Sequence, residues 1–123
     1  MKAKEALSLA DLTRPNEYEP ELKLRWLSAL DGQVSAELYE AHEPGAEASL
    51  PEPDPEAGPE TELLIPWPWD DIYVRYLVMR IDLENGELER YNNDALAFNR
   101  IWRSYACHYV HTHSPRGVPA LRF

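Results

Sequence analysis

An all-α fold of about four helices is what the sequence predicts, on three observations. Apolar residues recur at steps of three and four in separate stretches, the signature of helices with one buried face. These stretches form an N-terminal and a C-terminal helical half, with no internal repeat. The one segment that fits no helix, from Glu43 to Glu62, carries five prolines, two glycines and seven acids without a base, a composition that blocks regular structure and reads as an acidic, flexible surface loop. At 123 residues the chain suits a single domain.

The first helix is expected near residues 3–12, where Ala3, Ala6, Leu7 and Ala10 share a face before Thr13-Arg14-Pro15-Asn16 breaks the pattern. Glu19-Pro20-Glu21 is a helix start, with proline suited to the first turn and acid favoured by the dipole. A second helix over 20–42 follows from the stripe Leu22, Trp26, Leu27, Leu30, Val34 and Leu38, and Gly32 inside it points to a close packing contact or a kink. Glu62-Leu63-Leu64-Ile65, stopped by Pro66 and Pro68, reads as extended.

Asp70-Asp71 open a third helix, as capping and dipole-compensating carboxylates. From Ile72 to Leu83 its apolar residues fall on two faces, which places it centrally in the fold or at a subunit interface. The polar stretch around Gly86 can end this helix or continue it; the shared face of Tyr73, Leu77, Ile81 and Leu88 favours continuation to residue 91, with the turn at Asn92-Asn93. The fourth helix, over 94–113, carries the clearest stripe: Ala95, Phe98, Trp102, Tyr105 and Tyr109. Helices three and four are expected to pack as an antiparallel hairpin.

The formal charge is −10, which argues against non-specific binding to nucleic-acid phosphates. Its distribution is lopsided: seven acids lie between Glu43 and Glu62, whereas Ala95 to Phe123 holds Arg100, Arg103, Arg116 and Arg122 and no acid. No apolar run approaches the roughly 18 residues of a membrane span, and the start resembles no signal peptide, so neither secretion nor membrane insertion is expected. The lone Cys107 leaves no intrachain disulfide and fits a reducing compartment.

Cys107, His108, His111 and His113 are the tempting ligand cluster. Their helical spacing turns His113 away from the others, and no second cluster completes a tetrahedral site, so no metal is expected in the monomer; a symmetric oligomer would be needed to supply more ligands. There is no nucleophile elbow, phosphate loop or dinucleotide fingerprint. Asp82, Glu84, Glu87 and Glu89 read as a solvated face, with Glu87 and Arg90 as an ion pair. No catalytic residue and no cofactor is expected. Four tryptophans and seven tyrosines beside two phenylalanines suit either a small aromatic core or an interface. The candidate interface comprises Trp67 and Trp69, held stiff by prolines, with Arg100, Arg103 and Arg116.

Leu12-Thr13-Arg14-Pro15-Asn16, the run from Lys23 to Gly32, Glu62-Leu63-Leu64-Ile65-Pro66 with Asp70-Asp71-Ile72-Tyr73, the run from Ile81 to Asn93, Phe98-Asn99 and His111-Thr112-His113-Ser114-Pro115 together resemble small proteins of the structural modules of bacterial prophages. They are similar to the head-tail connector (adaptor, or head-completion) proteins of long-tailed bacteriophages. The likeness covers roughly residues 1–43 and 62–115 and skips the acidic loop. It implies a small helical protein, found in the virion and in the host cytoplasm during assembly. Copies would form a ring below the portal, with portal and tail-side proteins as partners and DNA in the channel as a further contact. The family offers no catalytic motif to carry over. The alternative is an acidic regulatory or protein-binding module of a prophage, without enzymatic activity; mimicry of DNA would require acids arrayed on ordered helices, whereas here they concentrate in a proline-rich loop. A metal- or carboxylate-dependent enzyme is the third class.

Overall fold

A computed structural model describes residues 1–41 and 58–113. Its helices are α1 (Ala3–Thr13), α2 (Pro20–Val34), α3 (Asp71–Glu84) and α4 (Leu88–Thr112), and a π-helical turn, Ser35–Tyr39, extends α2. The fold is all-α, and the described residues form no strand, only an isolated antiparallel bridge between Lys2 and Glu62. The central element is α3, which packs against α1, α2 and, most extensively, α4. Its residues Ile72, Tyr73, Leu77 and Ile81 are completely buried, Val74, Val78 and Met79 widen the buried face, and Asp71, Arg75 and Leu83 remain exposed.

The start of α1 has no side-chain cap. Instead the Ala3 and Lys4 amides donate to the carbonyls of Thr61 and Pro59, each at 2.9 Å, and the Leu63 amide donates to Met1 at 3.0 Å. Backbone from the end of the acidic segment therefore satisfies donors that a helix N-terminus leaves open. Glu60 accepts from Lys2 (3.2 Å) and Lys4 (2.8 Å), while Glu62 lies 3.1 Å from the N-terminal ammonium. Residues 58–62 are thus docked on α1, and the rest of the 43–62 loop lies outside the described residues.

In α2 the expected stripe is buried from Trp26 onward, but Leu22 is exposed and Lys23 takes the inward position. Lys23 is 2 % exposed, and its ammonium bonds Asp11 through both carboxylate oxygens and Asn16 Oδ1. Asn16 also accepts from the Tyr18 amide and donates to Arg14 O, so one side chain ties the α1–α2 corner together. Gly32 makes no close contact: a Cβ there would meet nothing within 4 Å. The helix departs from regularity later, where the Glu40 amide reaches back to Ser35 O at 2.8 Å.

The α3–α4 hairpin turns earlier than the face pattern suggested. Helix α3 stops at Glu84, not 91, and Asn92-Asn93 lie inside α4. The Gly86 amide bonds Leu83 O and the Glu87 amide bonds Asp82 O, a Schellman pair that requires a left-handed residue; Gly86 supplies it at φ 75°. Leu88, whose spacing suggested continuity, is the first residue of α4 and 64 % exposed. Asp70 flanks α3 without a side-chain capping bond; its carboxylate lies 3.7 Å from the N-terminal ammonium, and Asp71 pairs with Arg75.

Gly32 inside α2 and Gly86 in the α3–α4 turn predict opposite responses. Gly86→Ala places a Cβ in left-handed backbone and is expected to lower stability by about 1 kcal/mol. Gly32→Ala removes backbone entropy from the unfolded chain in open space, for a gain of about 0.5–1 kcal/mol. Urea unfolding of the two variants measures both signs.

Candidate interaction surface

The surface is built on the segment between Glu62 and Asp70. Leu63, Leu64 and Ile65 are buried, so their backbone groups need partners inside the protein. The Leu64 amide donates to Asp31 Oδ2 at 3.1 Å, and the Ile65 amide to the Tyr73 hydroxyl at 2.7 Å. That hydroxyl donates to Asp31 Oδ1 at 2.6 Å. On the other side, Tyr39 Oη donates to Leu64 O at 3.3 Å and lies 2.6 Å from Tyr105 Oη. Asp31 of α2, Tyr73 of α3 and Tyr39 of the π-turn thereby grip Leu64 and Ile65, with Tyr105 of α4 behind Tyr39; the two residues form bends, where the sequence predicts extended chain. Burial pushes the Asp31 carboxyl up to about 6, against the two hydrogen bonds that favour its charged form.

Beyond Ile65 the chain turns, with the Trp69 amide donating to Pro66 O at 3.0 Å. The two tryptophans then divide. Trp69 packs onto α4: its ring lies 5.5 Å from Tyr105 and stacks on His108 at 4.4 Å, and its Nε1 donates to Ser104 Oγ at 3.3 Å. Trp67 stays 81 % exposed. The two expected interface rings therefore do different things, Trp69 joining the fold and Trp67 standing out from it.

Arg100 and Arg103 are exposed on α4, and neither pairs with a carboxylate among the described residues; Arg116 lies outside them. Between α2, its π-turn and α4 runs a groove of about 170 Å³ lined by Leu30, Gln33, Glu37, Phe98, Asn99 and Trp102. Phe98 and Trp102, expected as core, are only half-buried, because the groove leaves their outer edges open. A second concavity, about 370 Å³, lies where Tyr18 Oη donates to Asn85 at 2.7 Å.

The cysteine–histidine cluster is spread over separate contacts. His108 stacks on Trp69, His113 stacks on Tyr109 at 3.8 Å, and Cys107 is exposed. Among the described residues no group of three or more His, Cys, Asp and Glu side chains is placed to hold a metal ion, and no helix is long and apolar enough to cross a membrane.

One polar cluster was not legible from the sequence. Asp82, expected on a solvated face, is 0 % exposed, with Arg14 Nε 2.9 Å from its Oδ1 and donating to Oδ2 at 3.2 Å. Asp94 of α4 approaches it, and burial, a hydrogen bond with Asp82 and that carboxylate's charge push Asp94 up to about 6. The expected Glu87–Arg90 pair is not formed; the helical pairs are Asp71–Arg75 and Arg80–Glu84. Comparison with protein-family models, curated proteins and solved structures finds no match.

Two measurements follow from this geometry. Asp31 and Asp94 hold protons in the folded state that the unfolded chain releases near pH 4, so stability should rise as pH falls from about 7 to about 4; Asp94→Asn should flatten that slope in thermal melts at pH 5 and 7.5. Trp69→Ala should cost about 2 kcal/mol or more through lost packing, whereas Trp67→Ala should stay within about 0.5 kcal/mol of wild type.

Proposed function

We propose that this chain is a virion structural protein of a bacteriophage or prophage, a head-tail connector that assembles with copies of itself into a ring below the portal and acts by binding rather than turnover. The observation that carries this reading is Trp67, a large apolar ring 81 % exposed just after Leu64 and Ile65, which are buried and hydrogen-bonded. Tryptophan in such a position is the residue type that dominates interface energetics. The all-helical fold and the resemblance of residues 1–43 and 62–115 to connector proteins support it. Arg100 and Arg103, exposed and without carboxylate partners among the described residues, offer charge to an acidic neighbour. Portal and tail-side proteins are the partners on this reading, DNA in the channel is a further contact, no cofactor is needed, and the protein resides in the virion and in the host cytoplasm during assembly.

The test is complementation. Phage lacking the gene should yield unjoined heads and tails; the wild-type gene should restore particles, and Trp67→Ala should restore them poorly although the purified variant melts normally. Arg100→Glu with Arg103→Glu should weaken assembly by less, and mostly at low salt, because exposed charges are screened. Normal infectious particles from the deletion strain would overturn the reading.

A further inference from the structure

We infer that Trp67 of one copy of the chain seats in the groove between α2 and α4 of a second copy, making a head-to-tail contact; the inference rests on the self-assembly reading above and names its site. Among the described residues Trp67 is the one exposed side chain of the Phe, Tyr and Trp type. It is presented with little freedom to lose, since Ile65 before it is completely buried and Trp69 after it is held by Ser104 and His108. Presenting an anchor already ordered reduces the entropic cost of association.

The groove has the complementary chemistry. At about 170 Å³ it falls below the roughly 300–1,000 Å³ of small-molecule sites and suits one large side chain. Leu30, Phe98 and Trp102 give it apolar walls, and Gln33, Glu37 and Asn99 bring oxygen acceptors to it. An indole is an apolar double ring with one N–H donor and no acceptor. Buried between those walls, it would have its single polar group met by any of the three.

Charge selects a second copy as the occupant. Glu62 and Asp71 lie near Trp67 in the chain and stay exposed within their surface ion pairs to the N-terminal ammonium and Arg75, so each can share its charge with a further cation, and Arg100 and Arg103 alternate with the groove residues Asn99 and Trp102 along α4. Seating the ring brings acids of one copy beside arginines of the next that have no carboxylate partner among the described residues. The knob and the groove are different surfaces, so the contact is heterologous and a joined pair retains one free knob and one free groove; repeated, it closes into a ring or extends into a filament.

Cross-linking between singly labelled chains tests this. In a Cys107→Ser background, full-length Asp71→Cys chains are mixed with Asn99→Cys chains at high concentration and treated with a short bismaleimide. The mixed dimer should exceed either homodimer about tenfold or more, and adding Trp67→Ala to the Asp71→Cys chain should reduce it by a similar factor. Equal amounts of the three dimers, no mixed dimer, or a mixed dimer indifferent to Trp67→Ala would overturn the contact. The outcome is separable from the connector reading. A Trp67-dependent mixed dimer together with normal particles from a gene-deleted phage removes the connector function and keeps the contact. No mixed dimer together with unjoined heads and tails does the reverse.

Discussion

The structure depends on one buried carboxylate. Asp31 sits on α2 at 4 % exposure, and its two oxygens receive the Tyr73 hydroxyl of α3 and the Leu64 amide. Because the same hydroxyl accepts from Ile65 and the neighbouring Leu64 carbonyl accepts from Tyr39, the backbone of an irregular, bent segment is satisfied in the middle of a helical protein. Without these partners Leu63, Leu64 and Ile65 could not be buried, since an unpaired buried amide or carbonyl costs about 1–3 kcal/mol. The position of everything downstream to α3, including both tryptophans, follows from that grip.

The same constraint explains why so small a helical protein carries so many tyrosines. Tyr39, Tyr73 and Tyr105 each combine a ring that fills the core with a hydroxyl that joins the network, which phenylalanine cannot do. Burial and neighbouring acceptors raise the Tyr73 hydroxyl well above its ordinary range, so it remains a donor to Asp31. A second polar knot, Arg14 with Asp82 and Asp94, joins the C-terminal end of α1 to α3 and α4. A third, Lys23 with Asp11 and Asn16, joins α1 to α2. Each lies where elements meet, and the apolar stripes fill the space between them.

Much of this was legible in the sequence, for a physical reason. Ala3, Ala6, Leu7 and Ala10 in α1, and Trp26 through Leu38 in α2 and its π-turn, are buried as their spacing predicts, because helical periodicity is a local property. At Gly86 the spacing of Leu88 continues a face of the third helix, but the backbone preference of glycine for left-handed φ decides the turn. Nothing local marks Lys23, Asp31 and Asp82 as buried, since a charge is buried only when a distant residue pairs with it, and Asp31 and Tyr73 are brought together by the fold alone. Trp67 and Trp69 share one proline-flanked context two residues apart; only the tertiary contact of Trp69 with α4 tells them apart, and that contact left Trp67 as the exposed member of the surface.

Native-state hydrogen exchange tests the central claim most directly. If the Asp31–Tyr73 pair holds the segment, the Leu64 and Ile65 amides should exchange as slowly as the interior of α3, and Tyr73→Phe should accelerate them selectively while α1 keeps its protection. Leu64 and Ile65 exchanging in the wild type as fast as exposed loop amides would contradict the account.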